Sequence, residues 1–336
     1  MKILFIRRDN IGDLVCTTPA ISAARAAFPN AQIGILVNTY NEDVVSNNPD
    51  IDVVYAYEKA KHVPEKSKFS VWINNMKILG AIRRERYDIA VGCGLYSPTL
   101  ARYTFLTGAK KRIGYIKNKC ERQWFYNMPL FEPKGKLHEV EKVFNLLSPL
   151  GITGTPPNLK MIAHDSDACK VKTSMDLKES EGKTIVALHI SSRRTENRWP
   201  VDRFVDIGNL LNKKKGTSVL LLWSPGDENN VYHPGDDQKA EYIAKKMAVA
   251  PLIFRTARVS ELVAALSLSD LVVCCDGGAM HIAAALGKPI VTIWGSTNPD
   301  IWRPWAAKHI LLQNEIKRAD AISVDEVLMA VEKLLC

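Results

Sequence analysis

The stretch from Asp270 to Gly295, DLVVCCDGGAMHIAAALGKPIVTIWG, limits what this chain can fold into more than any other part of it. Leu271 to Cys275 is a continuous apolar run, as expected of a strand buried on both faces of a parallel sheet. The run breaks at Asp276-Gly277-Gly278. Ala279 to Leu286 has helical composition, Gly287 suits the position just past a helix end, and Pro289 to Trp294 reads as a second buried strand. Strand, glycine loop, helix and strand make a βαβ unit. The Gly277-Gly278 step lets backbone approach a ligand, and the unsatisfied N–H groups of the next turn favour an anion. His281 in that turn can add a donor or a positive charge. The same residues also suit an ordinary βαβ turn whose glycines serve geometry alone, so the local pattern leaves both readings open.

The rest of the chain repeats the pattern. Lys2 to Arg7 is strand-like, Asp9 to Asp13 a loop, and Pro19 opens a helix that runs to about Ala27 before a strand from Ala31 to Val37. A glycine-bearing loop thus follows the first strand, where open α/β sheets place ligands. Asp13 in that loop suits a general base, or else a solvated loop acid or local turn cap, and its spacing alone favours the latter pair. Further strands are expected at Val53–Tyr57, Tyr87–Val91, Thr184–Ile190, Val219–Trp223 and Leu252–Phe254, with helices between them. Gly151 to Pro157 reads as a linker. Ser191, Ser192, Arg193 and Arg194 follow a strand directly, and hydroxyls with permanently charged, bidentate arginines suit a diphosphate. Asp165-Ser166-Asp167 has a spacing that can hold a divalent metal, but it lies at a helix start with no strand ahead, which favours capping. Ser323 with Glu326 predicts a capping box for a last amphipathic helix to Leu335.

A chain of 336 residues predicts two domains. No apolar run approaches the ~20 residues of a membrane span, and the apolar run at residues 3–6 is too short for a signal peptide. Seven cysteines without C-x-x-C spacing argue against a disulfide framework or a zinc site and point to a reducing cytoplasm. Charge divides unevenly. Residues 1–160 hold 23 Lys and Arg against 14 Asp and Glu, whereas the remainder holds 22 of each. A positive first half attracts an anionic partner. The candidate acceptor cations are Lys59, Lys61, Lys110, Lys111, Arg112 and Arg122. Without interleaved aromatics or a recognition motif, nucleic acid is not the expected partner. The absence of both G-x-G-x-x-G after the first strand and a P-loop sets aside dinucleotide oxidoreductases and P-loop enzymes.

Ile11-Gly12-Asp13 followed by Thr18-Pro19, then Arg198-Trp199-Pro200, then Asp276 to His281 followed by Gly287-Lys288-Pro289, resemble glycosyltransferase family 9. That family contains the ADP-heptose:lipopolysaccharide heptosyltransferases. The likeness runs over nearly the whole chain. It implies an α/β GT-B fold of two Rossmann-like domains with parallel sheets facing a central cleft. Residues 1–155 would bind the acceptor, 156–318 the nucleotide sugar, and a helix in 319–336 would pack back on the N-terminal domain. The implied activity is inverting, metal-independent transfer of heptose from ADP-heptose to a lipopolysaccharide core or related cell-envelope glycan. No cofactor beyond the donor is implied. Location is expected to be cytoplasmic, with contact at the inner face of the membrane.

By position, Asp13 matches the base that takes the acceptor hydroxyl proton, and Gly12 a backbone contact near the donor. Ser191, Ser192, Arg194, Arg198, Glu228, Asp276, Gly277, Gly278, Ala279, Met280 and His281 match the donor site, with Glu228 near the ribose. Asn197 stands where the family often has a phosphate-contacting lysine, and Gly277 where hydroxyl residues are common. The alternatives are a UDP-sugar epimerase or hydrolase of the same fold, and a non-enzymatic basic module for anionic polymers.

Overall fold

The computed structural model describes residues 1–60, 66–118, 123–175, 182–230 and 234–336. They form two compact units, Met1–Met161 and Ile162–Cys336, so the division falls at 161/162 rather than 155/156.

The first unit runs β1 (Lys2–Ile6), α1 (Ile11–Val15), α2 (Thr18–Ala27), β2 (Gln32–Asn38), β3 (Val53–Tyr57), α3 (Lys68–Glu85), β4 (Ile89–Gly92), α4 (Pro98–Leu106), β5 (Lys111–Ile116), β6 (Met128–Phe131) and α5 (Glu139–Asn145). Its six strands pair in parallel in the order β3-β2-β1-β4-β5-β6. The apolar run at residues 3–6 is fully buried at its centre, which is why it reads as a strand without alternation. Residues 9–13, expected as a loop, are in part α1, a five-residue helix that Asn10 caps with Asp13 closing the capping box. Two strands, β5 and β6, carry no clear signal: β5 begins with exposed charge and β6 alternates half-buried with exposed residues.

The second unit runs α6 (Asp165–Ser174), β7 (Thr184–His189), α7 (Val201–Lys213), β8 (Thr217–Leu222), α8 (Asp237–Lys246), β9 (Leu252–Ile253), α9 (Val259–Ser267), β10 (Leu271–Cys275), α10 (Gly278–Ala285), β11 (Ile290–Trp294), α11 (Pro299–Trp302), β12 (His309–Gln313) and α12 (Val324–Leu335). The sheet order is β12-β11-β10-β7-β8-β9, again parallel throughout. Helix α10 stops at Leu286, and Gly287 takes φ +70°, the left-handed conformation that glycine adopts without a Cβ penalty. Ser323 and Glu326 form the expected capping box. The expected position of the last helix needs correcting. Its buried face, Val327, Ala330, Val331 and Leu334, belongs to the core of the second unit together with Phe204, Ile207 and Leu211 of α7. Asp165 and Asp167 do open a helix, and Asp167 is an ion-pair partner of Arg258 at 2.8 Å.

Both sheets therefore have the strand order of a doubly wound nucleotide-binding fold. In each, the chain reverses direction across the sheet between two central strands, β1 and β4 in one and β7 and β10 in the other. Loops leaving the carboxyl ends of those strands diverge, one over each face, and open a crevice. No helix among the described residues is long and apolar enough to cross a membrane.

His189, the last residue of β7, is buried; burial lowers its pKa to about 4, against the opposing pull of Asp236. Above about pH 6.5 the imidazole is neutral whether the chain is folded or not. As pH falls through the window from about 6.5 to about 4, only the unfolded chain takes up the proton, so folded stability is lost there. The expected loss is about 3 kcal/mol. Denaturation measured across that window should show this slope, and His189→Asn should flatten it.

Candidate active site

At the reversal point of the first sheet, β1 ends and Arg7 follows. The Arg7 side chain is only 2% exposed, and a buried guanidinium is tolerable only when paired. Its Nη2 donates to Asp13 Oδ1 at 2.7 Å and to Glu139 Oε1 at 2.9 Å, and its Nε lies 3.2 Å from Asp9 Oδ2. Burial opposes the charge, but Asp13, Glu139 and Asp9 outweigh it and hold the guanidinium more firmly protonated than an ordinary arginine. Asp13 is fixed from both sides, because Asn10 donates from its backbone N–H to Oδ2 at 3.1 Å and from its amide at 3.3 Å. The cap and the candidate base are thus the same carboxylate, 16% exposed and aimed by Arg7 and Asn10. Gly12 lies in the same turn. Sequence reasoning missed Arg7 as a site residue, although an arginine directly after a buried strand was a signal. It also missed Glu139, which lies 132 residues away with no sequence link to Arg7.

The candidate acceptor cations divide. Lys59 follows β3 at the carboxyl edge of the sheet, where its Nζ donates to the Arg8 carbonyl oxygen. Lys110, Lys111 and Arg112 stand at the amino end of β5, the opposite edge from Asp13. There Lys110 pairs with Asp88 at 3.0 Å, and Arg112 donates to the carbonyl oxygens of Phe125 and Ala109. Parallel pairing separates the two edges by the length of a strand, so these three are corrected from acceptor contacts to residues of the far edge. Lys61 and Arg122 lie outside the described residues.

The reversal point of the second sheet gathers the loops after β7, β10 and β11. Ser192 Oγ donates to the Asp276 carbonyl oxygen at 3.0 Å, and Ser191 Oγ accepts from the Ser224 N–H at 2.8 Å. Arg198 Nε donates to the Ser192 carbonyl oxygen at 2.9 Å. Asn197 is the junction. Its Nδ2 donates to Asp276 Oδ2 and Thr297 Oγ1, each at 2.9 Å, and its Oδ1 accepts from the Gly295 N–H at 3.1 Å. At 1% exposure, with both amide atoms in use, Asn197 is a buried tie between three loops, which corrects its assignment as a donor contact. The approach is so close that a Cβ on Gly295 would fall 2.0 Å from the Glu196 carbonyl oxygen. Thr297 was not anticipated, although it too follows the carboxyl end of a strand.

Helix α10 starts at this junction without a side-chain cap, so the N–H groups of its first turn point out of the helix end. Gly277 is extended, with φ 166°, and a Cβ there would meet nothing within 4 Å. Open space, rather than backbone strain, is what glycine provides here. Burial raises the pKa of Asp276, opposed by its bond with Thr297 and by the charges of Arg194 and Arg193, both exposed. Ala279 and Met280 are buried, and Met280 Sδ lies 3.4 Å from Thr292 Oγ1, so these two can offer a ligand their backbone only. His281 is 3% exposed and meets Trp302 edge to face, with ring centres 6.0 Å apart. Glu228, 44% exposed, pairs with Lys239 at 3.0 Å in the segment after β8.

The pattern of glycosyltransferase family 9 (heptosyltransferase) matches residues 76–328. Lipopolysaccharide heptosyltransferase 3 of Escherichia coli K12 is 24% identical over 96% of this chain and 95% of its own length. A solved family 9 glycosyltransferase of Veillonella parvula covers 99% of this chain and 97% of its own, with TM-score 0.84 and 21% identity. The structure of E. coli ADP-heptose LPS heptosyltransferase II covers 100% and 98%, with TM-score 0.79 and 19% identity. These findings set aside both the epimerase or hydrolase reading and the non-enzymatic binding module. The chain belongs to glycosyltransferase family 9, the heptosyltransferase family, and is a glycosyltransferase.

Proposed function

We propose that this glycosyltransferase moves heptose from ADP-heptose to an anionic acceptor of the lipopolysaccharide-core type, with inversion at the anomeric carbon and without a metal. The observation that carries the reading is the uncapped start of α10 beside Ser192, Arg193 and Arg194, at the reversal point of its sheet. An anion placed there meets oriented N–H dipoles and two permanent positive charges. Family membership and the ADP-heptose named for a structural relative support a nucleotide diphosphate as that anion.

In this mechanism Asp13 accepts the proton of the acceptor hydroxyl while the oxygen attacks the anomeric carbon from the side opposite the nucleotide. The bond to the diphosphate breaks, and negative charge collects on its bridging oxygen. Backbone N–H groups of residues 278–281 and the arginines stabilise that charge. Arg7 holds Asp13 in one rotamer, so the base does not have to be ordered during the reaction. Glu228 accepts from ribose hydroxyls. Lys59 attracts the acidic acceptor.

Two outcomes follow. Asp13→Asn keeps the shape of the side chain and removes its basicity. The rate of ADP release with ADP-heptose and heptose-deficient lipopolysaccharide should fall by about 10²- to 10⁴-fold, while calorimetric affinity for ADP stays unchanged. An undiminished rate would exclude Asp13 as the base. Asn197→Ala unties three loops without touching the acceptor side, so ADP affinity should weaken about 10-fold. Equal ADP affinity in this variant and the parent would show that the junction does not organise the donor site.

A further inference from the structure

We propose that the first half of α3 is a docking face for an anionic lipid bilayer. Helix α3 begins behind its Ser67 cap at the carboxyl edge of the first sheet and packs inward through Val71, Leu79 and Ile82. Its opposite side leaves Phe69 69%, Trp72 58% and Met76 42% exposed. The spacing of three and then four residues puts all three on one stripe. Phe69 and Trp72 stack on one another, with ring centres 6.1 Å apart and planes at 20°. Single exposed apolar residues are ordinary, but a stacked aromatic pair continued by methionine is a contiguous patch, and such patches mark an interaction site.

Charge chooses the occupant. Lys68 and Lys77 are exposed beside the stripe, and Arg83 and Arg84 follow on the last turns. Glu85 is the helix's only acid, and it pairs with Lys2 at 2.7 Å. A second copy of this face would bring like charges together, with no acid on the stripe to offset them. A bilayer with negative headgroups instead takes aromatic rings at its interfacial level, while the lysine stems reach along them to the headgroups. The same edge of the sheet exposes further apolar side chains. Tyr40 follows β2, Leu95 follows β4, and Phe131 ends β6; they are 41%, 46% and 57% exposed. Lys117 and Lys134 are also exposed there, after β5 and β6. The interfacial character thus extends from the helix along the edge where the acceptor is taken. The bilayer contact stands on this surface alone; only its purpose, access to a lipid-anchored acceptor, rests on the proposed function.

The test is flotation of the full chain with vesicles of phosphatidylglycerol and phosphatidylethanolamine, against vesicles of phosphatidylcholine. Binding should be confined to the anionic vesicles and weaken with salt. Phe69→Ser with Trp72→Ser should weaken it by about 10-fold or more, and Lys68→Gln with Lys77→Gln by a smaller factor. The aromatic variant should keep full activity on a short water-soluble acceptor and lose it on an acceptor embedded in vesicles. Failure of the parent to float, equal flotation of the aromatic variant, or a dimer in light scattering that this variant dissolves would each overturn the proposal. Loss of transfer to every acceptor in a parent that still floats would count against the proposed function and leave the docking face standing.

Discussion

Because every strand in both sheets pairs in parallel, the chain can start each new strand only after crossing back over a face of the sheet. All six carboxyl ends in a unit then lie on one edge, and the helices that follow them start there. This brings unpaired helix N–H groups and irregular loops to the same place. The order of strands narrows that place further. In both sheets the crossovers change face between the first and fourth strands of the unit, so two adjacent loops part instead of packing together. Asp13 occupies one such gap and the start of α10 the other. The site is a consequence of winding direction before it is a matter of particular side chains.

Two different devices then fix the loops. In the first unit the fixing is ionic: a buried guanidinium draws Asp9 and Asp13 of one segment together with Glu139 of another. Removing the guanidinium from such a cluster would leave the buried Glu139 and Asp13 facing one another without it, so the arrangement has few alternatives. In the second unit a neutral amide does the corresponding work. Asn197 offers two donors and an acceptor and satisfies Asp276, Thr297 and Gly295 in one plane. A lysine at this position would offer no acceptor for the Gly295 N–H. It would also bring an ammonium group into a site that is 1% exposed. Positive charge is instead carried next door by Arg193 and Arg194, in water.

Legibility in the sequence followed burial. The run from Leu271 to Trp294 was readable because strands buried on both faces have no polar side to interrupt them. The cap at Ser323 was equally plain, since a hydroxyl satisfies a nearby N–H whatever the rest of the chain does. The edge strand β12 was invisible because all five of its residues are half-buried, without period or run. The charge of the first half was legible and its placement was not. Lys59 and Lys110 look alike in sequence, yet one follows a parallel strand and the other precedes one, which puts them at opposite edges. Glu139 illustrates the deeper limit, because its role depends on a partner that only the folded sheet brings within 2.9 Å.

The donor side has one further consequence. With Gly277 lacking a side chain and Asn197 turned inward, the proposed diphosphate would be met mostly by backbone N–H groups. Backbone donors are held by the helix itself, so they need little ordering when charge develops on the leaving oxygen. They also recognise phosphate without reading what is attached to it. Under the proposed function, selectivity for the sugar and the base falls to side chains near that helix start, with Trp302 against His281 and Glu228 paired with Lys239 as the candidates. Catalytic power and donor choice are thereby assigned to different parts of one site. The first is fixed by the fold of α10, and the second is open to change by substitution in two surface segments.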